Sequence, residues 1–419
     1  MDEEAAHTEA ERTDGSPQWQ VTLWTMVAVQ LIMSSAFTFL SPVLPLFLPH
    51  LGVRTLGEVE FWTGLLASMT SFIAAFAAPI WGKMSDRLGR KLMVLRSAFA
   101  IGVCTLLMGF SESVWHLLAL RALMGAFAGF TSSSVILVAS QVPERRLGYS
   151  LGLLSSGQLV GSLLGPVMGG GLADLTGSYR QPFFVAGGIS LIAFVLCWWL
   201  VPERFTPPKE KPKRTTMLAS IRMMIRIPGM APLVLVLLLA QFAVQAVAPI
   251  VTLFVQDMIG AQPNLATLGG VAFSVTGLAG VIAVPLLGRA SDRFGERIVL
   301  LLTLAGAALM TVPQAFVENY GLFVAERFGV GLFVGGILPA ANALIAKKTP
   351  AADRGAIFGM TASAYFFGNF LGPISGGAVA ASFGFHWVFL LTAILLCLNL
   401  AWVYVSVRSP QEFHNPETR

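Results

Sequence analysis

The chain has 419 residues, of which 55% are hydrophobic and only 12% are charged, whereas about 25% of residues are charged in an average soluble domain. This composition excludes an ordinary soluble domain and indicates a membrane protein. The formal net charge of +5 requires no nucleic-acid partner, because the basic residues concentrate in one set of predicted loops.

Twelve long apolar runs follow an acidic, polar segment at residues 1–18. A helix crosses a bilayer with about 20 apolar residues, whereas a barrel strand needs about 10 and alternates with period two. Because the runs are long and do not alternate, we predict an all-α membrane protein. Its transmembrane helices are expected at 22–48, 60–82, 91–110, 114–141, 148–173, 181–202, 231–257, 266–288, 297–316, 320–346, 356–382 and 386–407.

Basic residues decide the predicted orientation, since Lys and Arg accumulate in cytoplasmic loops. With the N-terminus inside, only Arg54 and Arg180 fall in the outer connections. Both termini are therefore expected in the cytoplasm of a multi-pass plasma-membrane protein, as in a bacterial inner membrane. The predicted domains are a disordered tail (1–18), a six-helix domain (19–202), a basic linker with an amphipathic helix (203–228), a second six-helix domain (229–407) and a cytoplasmic tail (408–419).

The second half of the sequence repeats the first at an offset of about 206 residues. The segment GKMSDRLGRK at 82–91 aligns with GRASDRFGER at 288–297, and Arg121 with Gly125 aligns with Arg327 with Gly331. We therefore predict a duplicated six-helix unit. Six crossings return the chain to its starting side, so the two copies are parallel and are related by an axis along the membrane normal.

A pattern of glycine and proline recurs in predicted helices 5 and 11. The first copy comprises Gly152, Gly161, Gly165, Pro166, Gly169 and Gly170, and the second comprises Gly359, Gly368, Gly372, Pro373, Gly376 and Gly377. Small residues let helix backbones meet in lipid, and neighbouring helices can satisfy a carbonyl that proline leaves free. The pattern predicts surfaces where helices 5 and 11 press against a partner helix and slide along it; the alternative is the tight packing of any membrane bundle.

These motifs resemble those of a known family. The first repeated segment is similar to the cytoplasmic loop signature of the major facilitator superfamily through Gly82, Asp86, Arg87, Gly89, Arg90 and Lys91. Its second copy keeps Gly288, Asp292 and Arg293 and departs from the signature at Glu296. The glycine pattern of helix 5 resembles the antiporter motif of the twelve-helix drug/proton exporters of that superfamily.

The resemblance implies alternating access, in which two six-helix domains rock about a cavity lined mainly by helices 1, 4, 7 and 10. Asp86 would then face the N-terminus of helix 11 near Gly355, and Asp292 would face that of helix 5 near Gly148. A carboxylate at a helix N-terminus gains roughly 0.3–1 kcal/mol, which can bias one state without locking it. The alternative is that the aspartates of this motif only cap a helix and that its basic residues only fix the orientation of the chain in the membrane.

Few ionisable residues lie within the predicted spans, where such groups are usually functional. Arg121 and Arg327 either share a role in transport or extend their guanidinium groups to the outer interface. Glu326 breaks the repeat, because its counterpart is Leu120. It is our first candidate for proton coupling, with Asp86 as the second choice and with Arg121 and Arg327 as further candidates. Asp174 is expected to face outer water.

Candidate substrate contacts come mainly from helix 7, where Gln241 and Gln245 share one face near the bilayer centre. Gln30, Phe37 and Tyr365 could share the same cavity. A lumen with amides, aromatic rings and almost no charge suits lipophilic, neutral or weakly cationic compounds.

The predicted function is secondary active transport, by proton-coupled efflux of lipophilic drugs or related small molecules. The alternatives are a proton-coupled uptake symporter for a small metabolite and a lipid or lysolipid translocator. The sequence has no G-x-x-x-x-G-K-[ST] segment, and its five histidines are scattered, so neither an ATP-driven pump nor an enzyme is expected. We expect a monomer that uses the proton gradient and no cofactor or metal, with a small-molecule substrate, protons and membrane lipid as its partners and no nucleic acid.

Overall fold

The computed structural model describes residues 18–202, 227, 229–349 and 354–407. Within these ranges the side-chain surroundings of a few residues are not described, among them Asp86, Gly355 and Gly359. The predicted tails lie outside the described residues, apart from residue 18. The predicted linker helix lies outside them as well.

The described residues form an all-helical bundle, which confirms the predicted fold class. The first half contains α1 (Gln18–Thr38), α2 (Leu56–Leu88), α3 (Arg90–Gly109), α4 in two segments (Val114–Ala126 and Phe130–Gln141), α5 (Leu147–Thr176) and α6 (Gln181–Leu200). The second half contains α7 (Met230–Val247), α8 (Leu265–Phe294), α9 (Glu296–Thr311), α10 (Tyr320–Lys348), α11 (Arg354–Phe383) and α12 (Phe385–Ser406).

The helices are long and apolar enough to make an integral multi-pass membrane protein. Among the described residues, eleven helices meet the length and hydropathy expected of a membrane span. The remaining long helix, α11, has 30 residues, which at about 1.5 Å per residue is sufficient to cross the hydrocarbon core.

Three of the predicted apolar runs are broken rather than single helices. The first helix ends at Thr38 and resumes over Leu44–Phe47, and α7 ends at Val247 and resumes over Val251–Ile259. Pro42 and Pro249 occupy these two breaks, where proline has no N–H to continue the helical hydrogen bonds. The third break separates the two segments of α4.

Side chains from α2 and α3 stabilise the break in α4. Gly129 adopts φ 114°, a left-handed conformation that favours glycine. The indole of Trp81 donates to the carbonyl of Ala126 at 2.6 Å, and Arg96 donates to the next two carbonyls at 3.3 and 2.9 Å. The break is therefore tolerated because two polar side chains satisfy the carbonyls that it leaves open.

The duplication predicted from the sequence recurs in the packing. Phe47 lies against Phe183 with ring centroids 5.2 Å apart, and Phe254 lies against Phe389 at 5.0 Å. The residues of the second pair follow those of the first by about 206 positions. Each half thus builds the same aromatic contact, between the second segment of its first helix and its last helix.

Candidate functional site: the contact between the two halves

Among the described residues, two helix pairs make most of the contact between the halves of the bundle: α2 packs against α11, and α5 packs against α8. We call the side that carries the α2–α3 and α8–α9 turns the basic end, and the opposite side the far end. The contacts described below lie in the parts of these four helices from the middle of the bundle to the far end. The positive-inside rule predicts that the basic end is cytoplasmic.

Backbones meet directly at these contacts because glycine leaves no side chain between them. A Cβ atom placed on Gly270 would overlap the Pro166 carbonyl, and one on Gly64 would overlap the Pro373 carbonyl. The same relation holds for two further motif residues, Gly170 against the Ala266 carbonyl and Gly377 against the Glu60 carbonyl. The contact between the halves is therefore built twice from the same parts.

Six of the other motif glycines serve packing within their own halves. Gly161, Gly165 and Gly169 face backbone atoms of the first helix and its break, and Gly368, Gly372 and Gly376 face α7. A Cβ on Gly152 would meet nothing within 4 Å in the described part of the chain. The glycine pattern therefore holds each half together along one face and joins the halves along another.

Two serines add hydrogen bonds across the contact. Ser274 donates to the carbonyl of Leu163 at 2.5 Å, and Ser68 donates to the carbonyl of Phe370 at 2.6 Å. Each carbonyl lies three residues before the motif proline, so the two hydrogen bonds occupy equivalent places in the repeat. Sequence analysis assigned these serines no role, although their matching positions in the repeat were a usable signal.

The segment that resembles the loop signature lies mainly on a helix. Gly82 and Arg87 belong to the last two turns of α2, and Gly89 closes that helix with φ 98°. Gly295 repeats this conformation with φ 88° at the end of α8, so both turns need the freedom of glycine.

The contacts that the resemblance implies for the two loop aspartates remain predictions. The surroundings of the Asp86 side chain lie outside the described residues. Asp292 is exposed, as are Arg87 and Arg293. A Cβ on Gly148, near the start of α5, would meet no described atom within 4 Å.

Some residues of the loop signature stabilise single halves instead. Lys91 donates to the Trp198 carbonyl near the end of α6 at 2.7 Å, and Arg297 donates to the Tyr404 carbonyl near the end of α12 at 3.0 Å. A cation near a helix C-terminus is favourable. Glu296, where the second copy departs from the signature, forms an ion pair with Lys347 of α10.

The two intramembrane arginines occupy equivalent places. Arg121 and Arg327 are 8% and 9% exposed, so their guanidinium groups do not lie at an exposed interface. The Nε of Arg327 donates to the Ala272 carbonyl at 3.3 Å. Both arginines therefore lie inside their own halves, where α4 packs on α2 and α10 packs on α8.

Two carboxylates within the spans differ in their surroundings. Glu326 is half-buried, and its Oε2 atom is buried without a hydrogen-bond partner among the described residues. Glu60 of α2 is buried near the far end. Sequence analysis did not single out Glu60, because it lies at the border of its apolar run.

The predicted cavity residues are divided between the halves. Gln241 donates to Asn369 at 2.8 Å, and Tyr365 lies beside both residues. Gln245 packs against Gly372 on the same pair of helices, α7 and α11. Asn369 was missed by sequence analysis, although it follows Tyr365 by one helical turn.

The remaining two candidates lie on α1. Gln30 is 1% exposed, and its amide nitrogen lies 3.5 Å from the Thr131 hydroxyl oxygen of α4. Phe37 is about half exposed. The described contacts therefore join Gln241 and Tyr365 but do not bring all five predicted residues together.

One prediction is corrected at the far end. Asp174 was expected to face water, but its carboxylate accepts hydrogen bonds from the first turn of α8. This contact joins residues 93 positions apart, and local sequence does not indicate it.

Comparison with known proteins identifies the family. The sequence profile of the Major Facilitator Superfamily matches residues 26–280 and 233–419. The chain belongs to the Major Facilitator Superfamily. It is 38% identical to the multidrug resistance protein MdtG of Proteus mirabilis over 94% of this chain and 97% of that protein. It is 36% identical to MdtG of Yersinia enterocolitica over 93% of this chain and 94% of that protein.

A solved structure shares the fold of this superfamily member. The crystal structure of the nucleoside transporter NupG superposes with a TM-score of 0.75 over 93% of this chain and 99% of that one. The sequences are only 14% identical, so this likeness concerns the fold alone. The family and its curated relatives make this chain a membrane transporter with a small-molecule substrate.

Proposed function

We propose that this transporter exports lipophilic small molecules in exchange for protons by alternating access. The names of its curated relatives support the multidrug class, because 38% identity extends over 94% of the chain. The proposal also specifies a direction and a driving force, which those names do not give.

The observation that carries this proposal is the uneven contact between two equivalent halves. Backbone contacts and serine hydrogen bonds join α2 to α11 and α5 to α8 from the middle of the bundle to the far end. At the basic end, Cβ atoms on Gly82, Gly148, Gly152 and Gly288 would meet nothing described within 4 Å. An interface built twice from the same parts can rock, closing one end as it opens the other.

Proton coupling is assigned to Glu326. Its carboxylate lies within a predicted span, and an ionisable group in that setting is rarely without a function. Moving one charge across the membrane supplies about 2.3 kcal/mol per 100 mV, which is useful work for each transport cycle.

Dye transport in everted membrane vesicles tests this proposal. With the cytoplasmic face outside and an acidic lumen, an exporter coupled to protons accumulates a lipophilic cationic dye in the lumen as protons leave. Collapsing the pH gradient should abolish accumulation, and vesicles without the protein provide the control. Dye movement that ignores the gradient, or that follows the protons outward, would contradict proton-coupled export.

A further inference from the structure

The carboxylate of Asp174 bridges the two halves at the far end. Asp174 lies in the last turn of α5, and it accepts hydrogen bonds from the first turn of α8 in the other half. Its Oδ2 accepts from the backbone N–H of Thr267 at 2.7 Å and from the Thr267 hydroxyl at 2.5 Å. Its Oδ1 accepts from the N–H of Ala266 at 3.3 Å.

The start of α8 depends on this contact for its cap. The first N–H groups of a helix have no partner within the helix. Asn264, which precedes α8, makes no capping hydrogen bond with its side chain. Asp174 supplies the missing acceptor, and its negative charge lies at the positive end of the helix dipole.

The equivalent helix in the first half is capped locally. At the start of α2, the Thr55 hydroxyl accepts from the Glu58 N–H, and the Glu58 carboxylate accepts from the Thr55 N–H. The position equivalent to Asp174 is Ala381, whose carbonyl lies against Gly57. At the far end, the described residues thus show a charged contact in the α5–α8 pair, whereas the equivalent position of the α11–α2 pair places a backbone carbonyl against a glycine.

We propose that Asp174 is a latch that holds the far end closed, and thus a positioning residue for the transport cycle. This inference rests on the proposed alternating access. Opening the far end separates α5 from α8, breaks the three hydrogen bonds of Asp174 and leaves α8 without its cap. Removing the carboxylate should favour the open far end, because the described hydrogen bonds of Asp174 all join α5 to α8.

The test measures the distance across the far end in the full-length protein. Phe110 and Phe316 are each 68% exposed and occupy equivalent positions on the two halves. Spin labels at Phe110→Cys and Phe316→Cys in a cysteine-free background report closed and open populations by electron–electron distance measurement in nanodiscs. We expect Asp174→Ala to raise the ratio of open to closed molecules about tenfold, the size expected for a lost charged hydrogen bond.

Two milder variants keep the test decisive if Asp174→Ala folds poorly. Asp174→Asn retains an acceptor oxygen but loses the charge, and Thr267→Val removes the hydroxyl donor alone. Both should shift the ratio in the same direction by less. Glu58→Gln is the matched control, because it alters a carboxylate that caps a helix at the same end within its own half, and it should leave the ratio unchanged.

The outcomes separate this inference from the proposed function. The far-end distance could change in the wild type while the ratio of open to closed molecules is unaltered in the Asp174 and Thr267 variants. That result would overturn the latch and leave alternating access standing. An equal shift of the open-to-closed ratio in Glu58→Gln would also overturn the latch, since the loss of any helix cap at this end would then be sufficient to open it. A far-end distance that never changes with pH or dye in the wild type would overturn both.

Discussion

Single residues within the membrane differ in how their charge is accommodated. Arg327 is buried and donates to a backbone carbonyl of α8, whereas the neighbouring Glu326 has a buried carboxylate oxygen without a described partner. A charged group that is withdrawn from water without a partner is energetically costly. The Nε of Arg121 also lacks a described partner, so this contrast separates Glu326 from Arg327 only and supports Glu326 as the group proposed to exchange protons.

Replacing Glu326 by glutamine should uncouple transport from the pH gradient. Gln keeps the size of the side chain but cannot ionise, so we expect acid-driven dye accumulation to fall to the level seen without a gradient. Passive exchange of dye should persist. The measurement is dye uptake in everted vesicles with and without the gradient.

Glu318→Gln provides the matched control, because Glu318 is exposed between α9 and α10. It should transport like the wild type. Normal gradient-driven accumulation in Glu326→Gln would refute the assignment and direct attention to the buried Glu60.

Sequence analysis identified some of these residues as functional candidates and could not identify the role of others. Glu326 was found because it breaks the repeat within an apolar run. The role of Asp174 could not be predicted, because its partners lie 93 residues away on the other half. Asn369 was missed for the same physical reason, since its partner Gln241 is brought to it only by the packing of α11 on α7.

At the scale of helices, the glycine-rich face of α5 determines how closely α1 can approach. A Cβ on Gly169 would overlap the backbone carbonyl of Phe39, at the break in the first helix. That carbonyl cannot rotate away as a flexible side chain would. This face therefore requires glycine.

Gly169→Ala should lower the stability of the protein. Overpacking a tight contact costs about 1–3 kcal/mol, so we expect a clear fall in the melting temperature of the purified protein. Gly188→Ala is the control, because Gly188 lies inside α6 with no described atom within 4 Å of its Cβ position. An equal effect of the two substitutions would show that close approach is not the reason for the glycine.

Helix positions were largely predictable and helix breaks were not. The run at 181–202 became α6 (Gln181–Leu200), and the run at 320–346 became α10 (Tyr320–Lys348). Hydropathy sets these lengths. By contrast, the break in α4 depends on Trp81 and Arg96 reaching its open carbonyls, and no local pattern indicates those contacts.

At the scale of the whole molecule, the duplication supports the proposal that one interface serves two states. Equivalent glycines, serines and prolines join α2 to α11 and α5 to α8. Repeats in the sequence predicted this equivalence. They could not predict at which end the halves join, because two arrangements of the same halves would share their local structure, and alternative conformations of a protein typically differ by only a few kcal/mol.

Distances at both ends of one molecule test the central claim, which is that the halves rock about their shared contact. Labels at Phe110 and Phe316 report on the far end, and labels at the exposed, equivalent Leu88 and Phe294 report on the basic end. As pH or a lipophilic dye shifts the populations, we predict that the basic-end distance shortens as the far-end distance lengthens. Distances that change in the same direction, or that never change, would contradict the account.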